Sequence, residues 1–341
     1  MLEPQSFVGR TSVSVAICTH NGEQFIEEQL RSVLAQTRVP TQIVVSDDAS
    51  TDRTVEVVRT VIAANEQINP DSSTSFSLII NAVPLGVAAN FEQAINACTG
   101  KFVALCDQDD VWLPRRVEAA LDAFDRHPSL LLVHSDARLI DEGGAELAPS
   151  LFRVLGVDES IQRTIHRGGG FELLLRRNLI TGAATMFRRE LADIAAPFPQ
   201  GWLHDEWLAI VAAAVDEIDV IAEPLIDYRQ HRHNQIGVRA LTVREKFVRM
   251  IEPGHERNSR LLRRSRSLAL RLPDIRAVVP ARIEAARQKV LHEERRSLLS
   301  PHRMLRIVPV VREVMTGRYG KFGRGPADAI RDLLQPLNPL G

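Results

Sequence analysis

A chain of 341 residues, 45% apolar and 25% charged with a formal net charge of −1, has the length of two ordinary domains or of one large α/β domain with an appendage. It buries a sizeable core unaided, and an odd count of three cysteines argues against a disulfide framework. No run approaches the ~18 consecutive apolar residues of a membrane span, and the opening MLEPQSFVGR lacks the apolar stretch of a secretory signal, so a cytoplasmic protein is expected.

Val13 to Cys18 (VSVAIC) is a continuous apolar run, the pattern of a strand covered on both faces. It ends at Thr19-His20-Asn21-Gly22, and a helix follows with Phe25, Ile26, Leu30, Val33 and Leu34 on one face. A second strand, Ile43 to Ser46, ends at Asp47-Asp48. Ser50, Thr51 and Asp52 are N-cap candidates for the helix carrying Val55, Val58 and Ile62. Phe76 to Ile80 is a third strand, followed by a Pro84-Leu85-Gly86 turn and a helix to about Ala97. Phe102 to Cys106 is a fourth strand, closed by Asp107-Gln108-Asp109-Asp110. A helix begins after Pro114, and Leu130 to His134 is a fifth strand.

From Asp136 to about Arg167 the pattern weakens, which predicts loops or a mobile segment. It returns with Phe171–Arg176, the apolar run Gly182–Phe187, a helix over Asp205–Val215 and a strand over Ile218–Ile221. After Gly237 the chain becomes Arg-rich and helical. Residues 1–240 carry 20 basic and 33 acidic side chains, a balance of −13. Residues 241–341 carry 22 and 10, a balance of +12. An acidic body with a basic tail predicts either an anionic partner for the tail or a solvated helical face rich in arginine.

Strands alternating with helices in this way predict a mostly parallel sheet, whose ligands bind at the carboxyl ends of the strands. Here those ends carry Thr19 and Asn21, Asp47 and Asp48, and Asp107 and Asp109. Carboxylates so close repel one another unless a cation neutralises them. Mg²⁺ or Mn²⁺ suits hard oxygen ligands together with substrate phosphates, so the end of the fourth strand reads as a metal–diphosphate site.

The segments VSVAICTHNGEQFIEEQLRSVLAQT, IVVSDDASTDRT, NAVPLGVAANFEQAI and ALCDQDDVWLPRRVE, taken in order, resemble the inverting family-two glycosyltransferases of the GT-A fold. The resemblance covers roughly residues 12–240, leaving 241–341 as a basic helical C-terminal extension. It implies that Thr19 and Asn21 lie beside the donor's base and ribose with Glu23 close by, and that Asp48 accepts from the pyrimidine imide N–H. Asp107 would face the ribose or metal, Asp109 would ligate the cation, and Gly86 would let backbone approach the nucleotide. Asn90 stands where relatives carry a basic residue.

His204-Asp205-Glu206-Trp207 resembles the family's catalytic-base motif, with Asp205 as base and Glu206 as alternative. The run Tyr228 to Gly237 (YRQHRHNQIG) resembles a closing segment of rhamnosyltransferase-like members. It implies His231, in preference to His233, as a metal ligand or a phosphate contact, and Arg229 or Arg232 as phosphate partners. Thr181-Gly182 is expected on the acceptor or sugar side. The implied donor is a dTDP- or UDP-sugar, the acceptor is a glycan or lipid-linked hydroxyl, and no nucleic-acid partner is expected.

Two other readings stand beside this one. ALCDQDDV also fits the Asp-x-Asp-x-Val strand of haloacid-dehalogenase-type phosphatases, although its acidic residues come only after four sheet segments. A binding or scaffold protein on a degenerate transferase fold is the other. In the tail, residues 303–324 mix apolar and basic side chains. They fit either a segment lying on an anionic membrane at the inner face of the cell membrane or a helix packed on protein, with Pro309 bending or ending a helix there.

Overall fold

The computed structural model describes residues 12–231 and 255–336, which form two compact units. The first holds residues 12–151, 181–196 and 220–231; the second holds 152–180, 197–219 and 255–336. The boundary expected near residue 240 lies outside the described residues, as do Arg232 and His233.

The first unit is built on a nine-stranded sheet. Strands β1 (Val13–Thr19), β2 (Gln42–Asp47), β3 (Ser75–Ile80) and β4 (Phe102–Cys106) lie side by side in the order β3-β2-β1-β4, all parallel. Parallel neighbours need crossovers, supplied by α1 (Ile26–Leu34), α2 (Thr54–Ile68) and α3 (Val87–Ala97). Helix α1 buries Ile26, Leu30 and Val33, the stripe that a 3.6-residue period dictates. The helices leave β1, β2 and β4 buried at almost every residue, which is why those strands are apolar on both faces.

Beyond β4 the sheet turns antiparallel and leaves chain order. β8 (Thr185–Arg188) inserts between β4 and β6 (Leu132–Ile140), then come β9 (Ile218–Arg229) and the short β5 (Val111–Trp112), while β7 (Glu146–Leu147) pairs with β6. Helix α4 (Arg116–Arg126) follows β5.

The segment from Asp136 to Arg167 is not the loop that its weak periodicity predicts. β6 runs on to Ile140, β7 follows, and helices α5 (Leu151–Leu155) and α6 (Glu159–His166) occupy the rest. Ser135 and Asp136 are buried inside β6, so polar residues break the apolar run without ending the strand. Asp158 caps α6, its carboxylate accepting the Ile161 N–H at 2.9 Å.

The second unit is helical: α5 from Phe152 on, α6, α7 (Gly170–Arg176), α9 (His204–Ala214), α10 (His255–Arg271), α11 (Pro280–Ser297), α12 (Arg303–Met315), α13 (Arg318–Phe322) and α14 (Pro326–Leu334), with α8 (Glu190–Ala195) belonging to the first unit. From Trp207 to Ala214, α9 is apolar and buried all round. α10 packs on α11, and α12 on α14. Part of the arginine surplus turns inward. Arg296 is buried and grips Asp332 with two bonds, at 2.6 and 3.0 Å, and Glu293 with a third at 3.1 Å. Tyr319 donates its hydroxyl to the same Asp332 at 2.8 Å. Such a pair replaces lost hydration only when its hydrogen bonds are made, and here they are.

Cys98 and Cys106 are buried free thiols. Burial pushes Cys98 up to about 12 and Cys106 well above its ordinary value. The Cys106 sulfur accepts from Gln29 Nε2 at 3.0 Å and donates to the Asp107 carbonyl at 3.3 Å.

Candidate active site

The carboxyl ends of β1, β2 and β4 are joined by a lattice of polar contacts. Thr19 is buried, and its hydroxyl donates to Asp47 Oδ1 at 2.8 Å; Asp47 also accepts from the Ser50 backbone N–H at 2.9 Å. The Asp48 N–H donates to the Thr19 carbonyl at 2.8 Å. Both Asp48 oxygens accept backbone N–H groups, from Leu85 at 2.6 Å and Gly86 at 2.9 Å. Gly86 has φ +83°, a conformation glycine adopts without strain. Thr19, Asp48 and Gly86 are therefore brought together, with Asp48 as the hinge post of the Pro84–Gly86 turn.

Asn21 and Glu23 are held against the start of α2 instead. Asn21, at φ +49°, accepts the Thr51 N–H on its side-chain oxygen at 2.8 Å. Glu23 accepts the Arg53 N–H at 2.9 Å. Both side chains remain exposed. Asn90 is buried, bonded through its amide to the Ser46 hydroxyl and carbonyl at 2.6 and 2.9 Å. It serves as a brace for β2.

Gln108, between the two aspartates, joins the site without any motif to mark it. Its side chain accepts the His20 N–H at 2.8 Å and donates to the His20 carbonyl at 3.1 Å, stapling the β4 loop to the β1 loop. A Cβ on Gly22 would lie 2.2 Å from Gln108 Oε1, so Gly22 makes room for this staple. The glycine in Thr-His-Asn-Gly was the available signal.

At the end of β4, Asp109 Oδ2 lies 2.7 Å from His231 Nε2, and both side chains are largely buried. Arg229 secures this corner. Its Nε donates to the Asp109 carbonyl at 2.8 Å, its Nη2 to Glu28 at 2.6 Å and its Nη1 to the Glu142 carbonyl at 3.0 Å. Its guanidinium lies 4.9 Å from the Phe25 ring centre, and that ring packs on His231. Arg229, implied as a phosphate partner, is placed inside the loop with its side chain buried.

Asp110 accepts the Arg229 N–H at 2.9 Å on one oxygen; the other is buried with no hydrogen-bond partner among the described residues. Burial, aided by the neighbouring Asp109 and Asp107 carboxylates, pushes Asp110 well above the usual carboxylate range. Behind it, Arg116 is buried 3.7 Å over the Trp112 ring and donates to the Leu105 carbonyl at 3.0 Å. Burial lowers it to about 10.

The Asp109 carboxylate is the hard oxygen donor that Mg²⁺ and Mn²⁺ favour, and the His231 imidazole nitrogen beside it is a softer second donor. Among the described residues no group of three or more His, Cys, Asp and Glu side chains stands ready to hold an ion. Two protein ligands suffice for a cation that takes substrate phosphates and water as the rest of its shell, so the residues present fit such an ion.

Thr181 donates its N–H to the buried His134 Nε2 at 3.0 Å, and residues 182–184 make one tight turn into β8. Asp205 and Glu206 lie in the second unit, in the first turn of α9. Glu206 is ion-paired with Arg264, which stacks on Trp202 at 4.1 Å. Burial raises Glu206, against the pull of Arg264. Asp205 accepts the Glu206 N–H at 2.8 Å.

Comparison with known proteins agrees with this architecture. The family described as Glycosyl transferase family 2 matches residues 14–194, more than half of the chain. An uncharacterized protein of Mycobacterium tuberculosis (strain H37Rv) is 31% identical over 243 residues, 69% of this chain and 63% of that protein. The chain thus matches less than two thirds of that relative's length. The dTDP-rhamnosyl transferase RfbG of Shigella flexneri is 26% identical over 249 residues, 69% of this chain and 78% of its own. Among solved structures, TarS of S. aureus in complex with UDP-GlcNAc has a TM-score of 0.57 at 16% identity, covering 95% of this chain and 90% of that one. Mannosyltransferase PcManGT of Pyrobaculum calidifontis, in complex with GDP-Man and Mn2+, has a TM-score of 0.50 at 20% identity, covering 95% and 79%. At these identities the structural likeness establishes the fold. The parallel block with its acidic strand ends, and a family match across most of the first unit, lead to one conclusion: the chain belongs to glycosyl transferase family 2 and has the GT-A fold.

Proposed function

We propose that the protein transfers a sugar, with L-rhamnose favoured, from a dTDP- or UDP-linked donor to a hydroxyl of a glycan or lipid-linked acceptor, with inversion at the anomeric carbon. The observation that carries the reading is the convergence of Asp109 and His231 at 2.7 Å at the end of β4. The similarity to the Shigella dTDP-rhamnosyl transferase supports the choice of sugar.

In this reading Asp48 receives the imide N–H of the pyrimidine on the lone pairs left by Leu85 and Gly86. Thr19, Asn21 and Glu23 line the base and ribose side, and Asp107 faces the ribose or the metal. Asp109 and His231 would hold Mg²⁺ or Mn²⁺, which when bound neutralises charge on the leaving diphosphate. Asp205 accepts the proton of the acceptor hydroxyl as its oxygen bonds to the anomeric carbon, while the bond to the diphosphate breaks on the opposite side. Glu206 is committed to Arg264, which favours Asp205 over its neighbour. Residues 12–240 would form the catalytic domain and 241–341 the extension. No helix among the described residues is long and apolar enough to cross a membrane. The reading places the protein in the cytoplasm, peripheral to the inner face of the cell membrane, where a lipid carrier presents the acceptor.

The test is turnover of a panel of dTDP-, UDP- and GDP-sugars with Mg²⁺ or Mn²⁺, read as nucleoside diphosphate release, with the product's anomeric configuration read by NMR. Highest turnover with dTDP-L-rhamnose and an inverted product is expected. A retained configuration removes the in-line mechanism, and absence of turnover with every donor favours a binding protein.

A further inference from the structure

Helix α12 is amphipathic with the faces reversed. Its inward side is Arg306, Val310 and Glu313, spaced four and three residues apart on one face. Buried Arg306 donates to the carbonyls of Ser300 at 2.5 Å, Pro301 at 2.7 Å and Asp332 at 3.0 Å. Glu313 accepts from His292 at 3.0 Å and from Arg295 at 2.5 Å. With the charged groups satisfied inside, the apolar residues are left outside. Met304 is 77% exposed, Val308 74% and Met315 83%, with Leu305 and Val311 exposed beside them. Met304, Val308, Val311 and Met315 follow the i, i+4, i+7, i+11 stripe of a single face.

The chain on either side of this stripe carries one sign of exposed charge. Between Arg295 and Ala327 the only acidic residue is Glu313, and it is buried. Arg303, Arg312, Lys321 and Arg324 are exposed. A contiguous exposed apolar patch marks an interaction site, and the rim decides what fits it. A second copy of the same face would set arginine against arginine, which is unfavourable. An anionic bilayer takes the apolar side chains into its headgroup–acyl boundary and meets the cations with phosphate.

We infer that the exposed face of α12 is a docking surface for an anionic lipid bilayer, along which the helix lies in the plane of the interface. The inference rests on the peripheral placement proposed above and is independent of the sugar chemistry. The packing alternative for this segment is thereby divided between two faces: Arg306, Val310 and Glu313 pack on protein, and the Met304–Met315 stripe meets lipid.

The test is co-sedimentation of the full chain with phosphatidylcholine vesicles and with vesicles containing roughly one third phosphatidylglycerol. The chain should pellet with the anionic vesicles at low salt, leave them at high salt, and ignore the neutral ones. Val308→Ser combined with Val311→Ser, both outside the packed face, should abolish pelleting while circular dichroism and Tm stay unchanged. Arg312→Gln and Lys321→Gln should each weaken binding on the order of fivefold. Donor hydrolysis in solution should be equal in all variants, and its absence throughout alongside intact vesicle binding would count against the sugar-transfer reading alone. Failure to bind anionic vesicles, equal binding to neutral ones, or a dimer in light scattering that the serine pair dissociates each overturns the inference.

Discussion

The Asp109 carboxylate and the His231 imidazole meet at 2.7 Å across 122 residues of chain, held there by Arg229, which bonds the Asp109 carbonyl and stacks near the same phenylalanine that packs on His231. If the pair holds the cation, Asp109→Asn removes its charged ligand and should lower kcat/KM by ~10²-fold or more, consistent with the several kcal/mol that a catalytic cation contributes. EDTA should stop transfer and Mn²⁺ restore it. Transfer that survives both treatments ends the metal-assisted reading.

Asp205→Asn should lower kcat by about 10²–10⁴-fold and leave nucleotide affinity, measured by calorimetry, near wild type. Glu206→Gln should do little to kcat. It should instead lower stability by about 1–3 kcal/mol, because it leaves Arg264 without its counter-charge. Asp48→Asn should raise the donor KM more than it lowers kcat, since an amide has one oxygen to offer where the turn uses two. A kcat collapse in Glu206→Gln with none in Asp205→Asn would exchange their roles.

The Gln108 staple predicts non-additivity. Gly22→Ala drives a Cβ into Gln108 and should lower both Tm and turnover. In the Gly22→Ala/Gln108→Ala double variant the clash is gone, so its loss of unfolding free energy should be smaller than the sum of the two single losses by about 0.5–3 kcal/mol. Strict additivity would show that the two side chains do not meet.

Burial holds His134 and His204 down at about 3 from an ordinary 6.5, with Arg116 adding to the effect on His134. The folded state keeps both neutral while the unfolded chain protonates them near pH 6.5. Stability is therefore fully present above pH 6.5 and falls as pH drops toward 3. At pH 5.5 each histidine removes about 1.4 kcal/mol. Urea titrations at pH 7.5 and 5.5 should show the loss, and His134→Gln should reduce it. A flat profile across this range would contradict the buried neutral state.

The parallel block could be read in the sequence because β1, β2 and β4 are covered on both faces, which leaves unbroken apolar runs ending in polar clusters. What followed was harder to read for identifiable reasons. Ser135 and Asp136 are polar residues inside a strand, so the apolar run ends at His134 while β6 continues to Ile140. The closing-segment resemblance implies Arg229 or Arg232 as a phosphate partner, and only the bonds to the Asp109 carbonyl, Glu28 and the Glu142 carbonyl show that Arg229 is held inside the loop. Nothing local marks Gln108, because its role depends on a backbone 88 residues away. In α12 the period is visible but its direction is not, since apolar and basic residues are mixed and either face makes sense until Arg306 is seen donating to four carbonyls, those of Ser300, Pro301, Asp332 and Gln335.

Cys106 ends the strand that delivers the acidic loop, and its sulfur is bonded to Gln29 and to the Asp107 carbonyl. Thiol reagents attack the thiolate, which burial denies to this side chain. Its alkylation must then wait for β4 to part from its neighbours, so the labelling rate is a clock for breathing of the strand that carries Asp107 and Asp109. A ligand bridging the β1, β2 and β4 loops would slow that clock, whatever sugar it carries.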